Sequence, residues 1–236
     1  MDKRLIGIGF LLLLTGLTSG ALLTRALEQK IKGAIEQQAP VVEDLAVELA
    51  PLTVGDFLKG RINEFSVSAK RLGFDEGPVF EAFSLRSKGM QIEPGALIFQ
   101  QRVEIKKLEE TYLAFNLSES ELTARIRRDL PAFEPVVFIK EGTVELEGAL
   151  DLFGQGRLPF RATAALEKAS DYSLRLTPHG LKVGGITLWP ELFSKYAQQL
   201  TWEFPLTVPW PLRLVNFEVK PGVIKVEWRE EKGDQE

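Results

Sequence analysis

Apolar and polar positions alternate with period two through most of the chain. In "TVELEGALDL", Val144, Leu146, Leu150 and Leu152 fall on one side, while Thr143, Glu145, Glu147 and Asp151 fall on the other. "FSVSA" repeats the pattern with Phe65, Val67 and Ala69 against Ser66 and Ser68, and "YSLRL" with Tyr172, Leu174 and Leu176 against Ser173 and Arg175. Such strands have one buried and one wet face. Turn signals separate them, "EPGA" at 93–96, "KEGT" at 140–143, "FGQG" at 153–156 and "KPGV" at 220–223, so the runs predict antiparallel hairpins.

Three stretches change to helical period. Leu27, Ile31, Ala34 and Ile35 form one apolar stripe, backed by Glu28, Gln29, Lys32 and Glu36. "LSESELTARIRRDLP" predicts a second helix, with Ser118 as N-cap, Glu121 completing a capping box, Leu117 stapling to Leu122, and Pro131 as the stop. Its stripe is Leu122, Ile126 and Leu130, and Arg125, Arg127 and Arg128 gather near its C-terminal end, where cations suit the helix dipole. The third is "WPELFSKYAQQL", with Pro190 at the first helical position and a wider stripe of Leu192, Phe193, Tyr196, Ala197 and Leu200. Strands in hairpins with a few amphipathic helices packed on one side make an α+β fold, mostly antiparallel. One domain over residues 25–229 is expected, followed by a charged tail at 230–236.

Residues 1–24 read differently. Lys3 and Arg4 precede nineteen uncharged residues, Leu5 to Leu23, close to the roughly 20 that cross a bilayer. Ser19 and Ala21 also offer signal-cleavage spacing, so the segment is either a membrane anchor or a signal peptide. Both readings send the domain to the extracytoplasmic, periplasmic side. No Gly/Ser-rich or Pro-rich linker follows, so docking of the first amphipathic stripe would hold the body against the bilayer.

Composition removes several classes of function. A net charge of −4 gives no reason to expect nucleic-acid binding. With no cysteine and one histidine, Cys-ligated zinc and a multi-histidine metal centre drop out, so neither metal nor cofactor is expected. His179 sits in "TPHG", which reads as a turn between strands rather than a catalytic base. Glu145 and Glu147 share a strand face about 7 Å apart, a glycosidase-like spacing, but they alternate with buried residues as a solvated sheet face does. No nucleotide, zinc-protease or nucleophile-elbow motif occurs, and no enzymatic activity is expected. Fifteen phenylalanines and four tryptophans instead suggest a deep apolar interior with room for an acyl chain.

The order of these features resembles a known family. An N-terminal apolar segment, an amphipathic helix, "LSESELTARI", "LRLTPHGLKVGGITLWPELFSKYAQQLTWEFPL" and a closing "LRLVNFEVKPGVIKVEW" are similar to the LmeA-like phospholipid-binding proteins of bacterial envelopes. The resemblance implies a TULIP/BPI-like arrangement: a curved, mostly antiparallel sheet wrapped around helices, as in half of a tubular lipid-binding module. It also implies an apolar cavity for phospholipid, and it supplies no catalytic residues. On this reading Leu122, Ile126, Leu188, Trp189, Leu192, Phe193 and Tyr196 are the candidate lining, with phospholipid and membrane as partners. Trp189, at the helix entrance, could pack in the core, close a cavity or meet the bilayer interface. The alternatives are an envelope adaptor with a solid core and a hydrolase working through Glu145 and Glu147.

Overall fold

The computed structural model describes residues 20–74, 78–100, 104–151, 156–206 and 212–230. The described residues open with helix α1 (Gly20–Gln38), and every strand pairing among them is antiparallel. One sheet has eight strands. At its centre are β3 (Arg61–Gly73) and β4 (Val79–Ile92), edged on one side by β1 (Val41–Glu43) and β2 (Ala46–Leu49). On the other side β4 pairs with β5 (Ile105–Lys107) and β6 (Tyr112–Ser118), and β6 leads to β14 (Val223–Glu230) and β13 (Leu212–Lys220). Two short helices, α2 (Val54–Leu58) and α3 (Pro94–Gln100), flank the start of β3 and the finish of β4.

The second sheet has six strands, β7 (Val136–Lys140), β8 (Thr143–Asp151), β9 (Arg157–Ser170) and β10 (Ser173–Val183) in order, with β11 (Ile186–Thr187) and β12 (Trp202–Pro205) both on β10. Helix α4 (Glu119–Asp129) packs on β7, and α5 (Pro190–Leu200) on β10. The expected α+β, mostly antiparallel class is what the chain adopts, but as two sheets rather than one.

Bulges bend the long strands. Phe80 and Phe83 both face the core although they are three apart, and Ala82, at φ 48°, takes up the extra residue where the β4–β6 register shifts. Gly89, further along β4, is also left-handed at φ 79°, and an added Cβ there would come within 2.7 Å of Glu109 Oε2. Such bulges curve a sheet toward its buried side, which here carries Ile62, Phe65, Val67, Phe83 and Leu85.

The sheets meet at β13 and β7. Gly142 N–H donates to Val219 O (3.1 Å) and Gly222 N–H to Ile139 O (3.0 Å), so the tips of two hairpins close on one another. At the opposite end Leu214 N–H donates to Asp171 O (2.9 Å), while Lys168 Nζ reaches both Leu214 O (2.7 Å) and the Asp171 carboxylate (2.7 Å). Asp171 is thereby held below the ordinary carboxylate range, first by its hydrogen bond from Lys168. A single apolar cluster runs under both sheets, with Trp228, Phe115, Phe204 and Leu174 almost wholly buried.

Several local expectations are corrected. "EPGA" opens α3 instead of a hairpin turn. "TPHG" lies inside β10, where the register slips between Pro178 and Gly180, so His179 is an exposed bulge residue and not a turn residue between strands. Tyr172 is exposed in the β9–β10 turn and Ser173 is buried, the reverse of the alternation read from "YSLRL", because a second register slip follows Ser173. "FGQG", apart from Gly156, and the tail after Glu230 lie outside the described residues. So does the apolar segment up to residue 19, and among the described residues no helix is long and apolar enough to cross a membrane. Leu23, counted at the end of that segment, packs in the core of the domain.

Candidate lipid site beneath helix α1

Helix α1 lies on the eight-stranded sheet through the stripe its sequence predicts. Leu27, Ile31 and Ala34 are buried, and Ile35 packs half-buried against the same cluster. Two polar side chains four residues apart fix its first half. Thr24 Oγ1 accepts from Leu52 N–H (3.0 Å) and Glu28 Oε1 from Leu49 N–H (3.0 Å), satisfying donors along the β2 edge.

Beyond these ties a gap remains beside the buried stripe. A pocket of about 150 Å³ lies between Ile31, Ile35 and Gln38 above and Phe65, Val67, Leu72, Phe74, Phe83 and Leu85 below, with Ile105 at its side. Gln38 is the one polar side chain in this lining. Gly33 falls on the face of α1 opposite Ile31 and Ile35, and no atom lies within 4 Å of where its Cβ would be. A wider cleft of about 610 Å³ exists on the polar side of β3 and β4, but Glu48, Glu64, Arg86, Lys88 and Glu110 line it and it is more open to solvent. The first is lined mainly by apolar side chains and the second largely by charged or polar ones.

Of the seven residues singled out from sequence, the five whose side chains are described lie elsewhere than at this pocket. Leu122 and Ile126 are 2% and 1% exposed, packed core beneath α4 rather than cavity lining. Leu188 and Phe193 are half-buried against the cluster, and Trp189 is 67% exposed as the N-cap residue of α5. The side chains of Leu192 and Tyr196 lie outside the described residues. Pro190 does take the first helical position, and Leu200 is buried. Two aromatics that follow α5 are buried: Trp202 stacks on Phe204 with ring centres 4.6 Å apart and donates from Nε1 to Asp129 Oδ2 (3.0 Å).

Polar features resolve into structural roles. Ser118 is the N-cap of α4, but no capping box forms: its hydroxyl meets Ser120 Oγ (3.0 Å). Glu119 and Thr123 accept from Ile139 N–H (2.6 Å) and Val137 N–H (2.9 Å), covering the free edge of β7 as Thr24 and Glu28 cover β2. Arg125 and Arg127 donate to Pro205 O and Pro135 O, both at 3.2 Å, and Arg128 lies beside Asp129. Glu147 accepts from Arg161 Nε (2.6 Å), a cross-strand pair on a wet face. Among the described residues no group of three or more His, Asp or Glu side chains could hold a metal ion.

Residues 18–229 match the profile of LmeA-like phospholipid-binding proteins, and this span is most of the chain. The chain belongs to that family. No curated protein and no solved structure gave a significant match. The match begins just before α1 and ends in β14, so α1, which roofs the pocket, is part of the family's domain. Of the pocket residues, sequence reading had Ile31 and Ile35 in a helix stripe and Phe65 and Val67 in an alternating strand. It missed Phe83 and Leu85, whose signal, "VFEAFSLRS", is broken in mid-strand by the bulge at Ala82.

Proposed function

We propose that this chain is an envelope phospholipid-binding module, anchored or exported through its N-terminal segment, that takes an acyl chain beneath α1. The supporting observation is an apolar pocket under the second half of a helix whose first half is tied to the β2 edge through Thr24 and Glu28. At about 150 Å³ the pocket is smaller than the roughly 300–1,000 Å³ of ordinary ligand sites. It accommodates the end of a chain as it stands, and a lift of the second half of α1 about Gly33 lengthens it. Displacing the helix exposes Ile31 and Ile35, and the bound chain re-covers that surface, so the exchange is nearly balanced in apolar area. Binding and release without a catalytic step follow from this arrangement. The curved sheets around a helix correspond, on this reading, to half of a tubular lipid-binding module.

Mass spectrometry of the full chain under native conditions, with lipid extraction of the same sample, tests the proposal. Co-purified or vesicle-acquired phospholipid is expected. Protein that is reproducibly lipid-free and acquires none from vesicles overturns it in favour of an adaptor role.

A further inference from the structure

The first turn of α1 and the short helices α2 and α3 are linked at one end of the eight-stranded sheet. Leu52 N–H, just before α2, bonds Thr24 of α1 (3.0 Å), while Gly60 O, just after α2, accepts from Ile92 N–H (2.8 Å), two residues before α3 begins. Each helix leaves a large apolar side chain in solvent here: Leu22 is 53% exposed, Leu58 63% and Phe99 68%. Exposed apolar groups clustered at one end mark a contact surface.

Charge at this end identifies the partner. Arg25, Lys59 and Arg61 are exposed, and none is in an ion pair among the described residues. Of the local acids, Glu93 is paired with Lys106, while Asp56, which accepts from the Thr53 hydroxyl (2.6 Å), and Glu104 keep their charge, so three cations stand against two anions. A positive, apolar end on a chain of net charge −4 complements an anionic lipid surface. The chain also enters the described structure here, at Gly20, within the apolar run that extends from Leu5 to Leu23. The rival is the tip of the six-stranded sheet, where Ile186, Trp189 and Leu158 are exposed. There Arg157 and Arg161 are already bonded to Glu134 and Glu147 (both 2.6 Å), and nothing leads toward the N-terminal run.

We infer that the end formed by Leu22, Leu58 and Phe99, ringed by Arg25, Lys59 and Arg61, is the face this protein applies to an anionic phospholipid bilayer. The inference rests on the lipid-binding reading above. It makes the bilayer contact the helix-bearing end of the eight-stranded sheet, with the six-stranded sheet held away.

Because the chain has no cysteine, single Leu58→Cys, Phe99→Cys, Ile186→Cys and Val215→Cys variants of the full protein can each carry one environment-sensitive fluorophore. They are reconstituted in phosphatidylcholine vesicles, with or without phosphatidylglycerol, containing nitroxide-bearing lipid. Labels at 58 and 99 are expected to lose most of their emission, more with phosphatidylglycerol, while those at 186 and 215 stay as in water. Quenching at 186 instead, at all four positions, or at none overturns the inference. Combined Arg25→Gln, Lys59→Gln and Arg61→Gln replacement should abolish the gain from phosphatidylglycerol; an unchanged gain overturns the charge assignment. Native mass spectrometry of the same samples separates the two ideas. Lipid-loaded protein with silent labels defeats the docking face alone, and quenched labels on lipid-free protein defeat the pocket alone.

Discussion

Helices α1 and α4 are built into the molecule in the same way and do different things. Each lies along the edge of a sheet, and each offers a threonine and a glutamate four residues apart to that edge, Thr24 and Glu28 to β2, Glu119 and Thr123 to β7. Each buries a stripe at helical spacing. Beneath α4, Leu122 and Ile126 are packed to 2% exposure or less, whereas beneath the second half of α1 a pocket remains. What differs is the opposing wall. Beneath α1 that wall is the bulged strand pair β3 and β4, whose Phe65, Val67, Phe83 and Leu85 border the pocket. An amphipathic stripe therefore specifies where a helix lies, and the surface opposite specifies whether the interface is solid.

Truncation should separate the two helices most sharply. Leu122→Ala leaves a cavity in packed core and is expected to cost about 2–5 kcal/mol in denaturant unfolding. Ile35→Ala, at a residue that already borders open space, should fall at or below the low end of that range and alter lipid retention instead. Equal costs for both would erase the distinction.

Filling should separate them in the opposite sense. Ile126→Phe forces a ring into a closed interface and should cost about 1–3 kcal/mol with bound lipid unchanged. In Val67→Phe the pocket receives the added volume, so stability changes less than in Ile126→Phe while co-purified lipid is lost. A Val67→Phe protein that keeps its lipid would move the site elsewhere.

Gly33 gives a smaller effect. Its Cβ site is open, so Gly33→Ala should stabilise the fold by about 0.5–1 kcal/mol through helix propensity alone. If α1 lifts about this residue, the same change slows lipid exchange between vesicles; stabilisation with unchanged exchange places the motion at another position.

The smallest expected effect is local and tests the junction of the sheets. The folded-state pKa of Asp171 is lowered, first by the hydrogen bond from Lys168 and further by Arg213. Its contribution is present above the ordinary carboxylate range and is lost as pH falls through the lowered folded value. Hydrogen exchange at the Leu214 amide, which donates to Asp171 O, should quicken on acidification before exchange beneath α1 does. An acid response that begins under α1 contradicts that order.

Much of the fold was legible because burial on one face imposes a period. The stripe of α1, the strand Phe65–Val67–Ala69, the hairpin turn at Pro221–Gly222 and Pro190 at the start of α5 all follow from local spacing. Register slips were not legible. At Ala82, Ser173 and Pro178 the sequence continues smoothly while the pairing shifts, so His179 looked like a turn and Phe83 fell out of phase with Phe80. The site was less legible than the fold. Leu122 and Ile126 carry the same pattern as Ile31 and Ile35, and periodicity holds no information about the distance to the facing sheet.

The central claim is that an acyl chain lies beneath α1. It is tested most directly with a phospholipid carrying a photoreactive diazirine in its acyl chain, incubated with the full protein, irradiated and mapped by peptide mass spectrometry. Adducts are expected on peptides holding Ile31, Ile35, Val67, Phe83 and Leu85. Adducts confined to α4 and α5, at Leu122, Ile126, Leu188 or Phe193, would contradict the account.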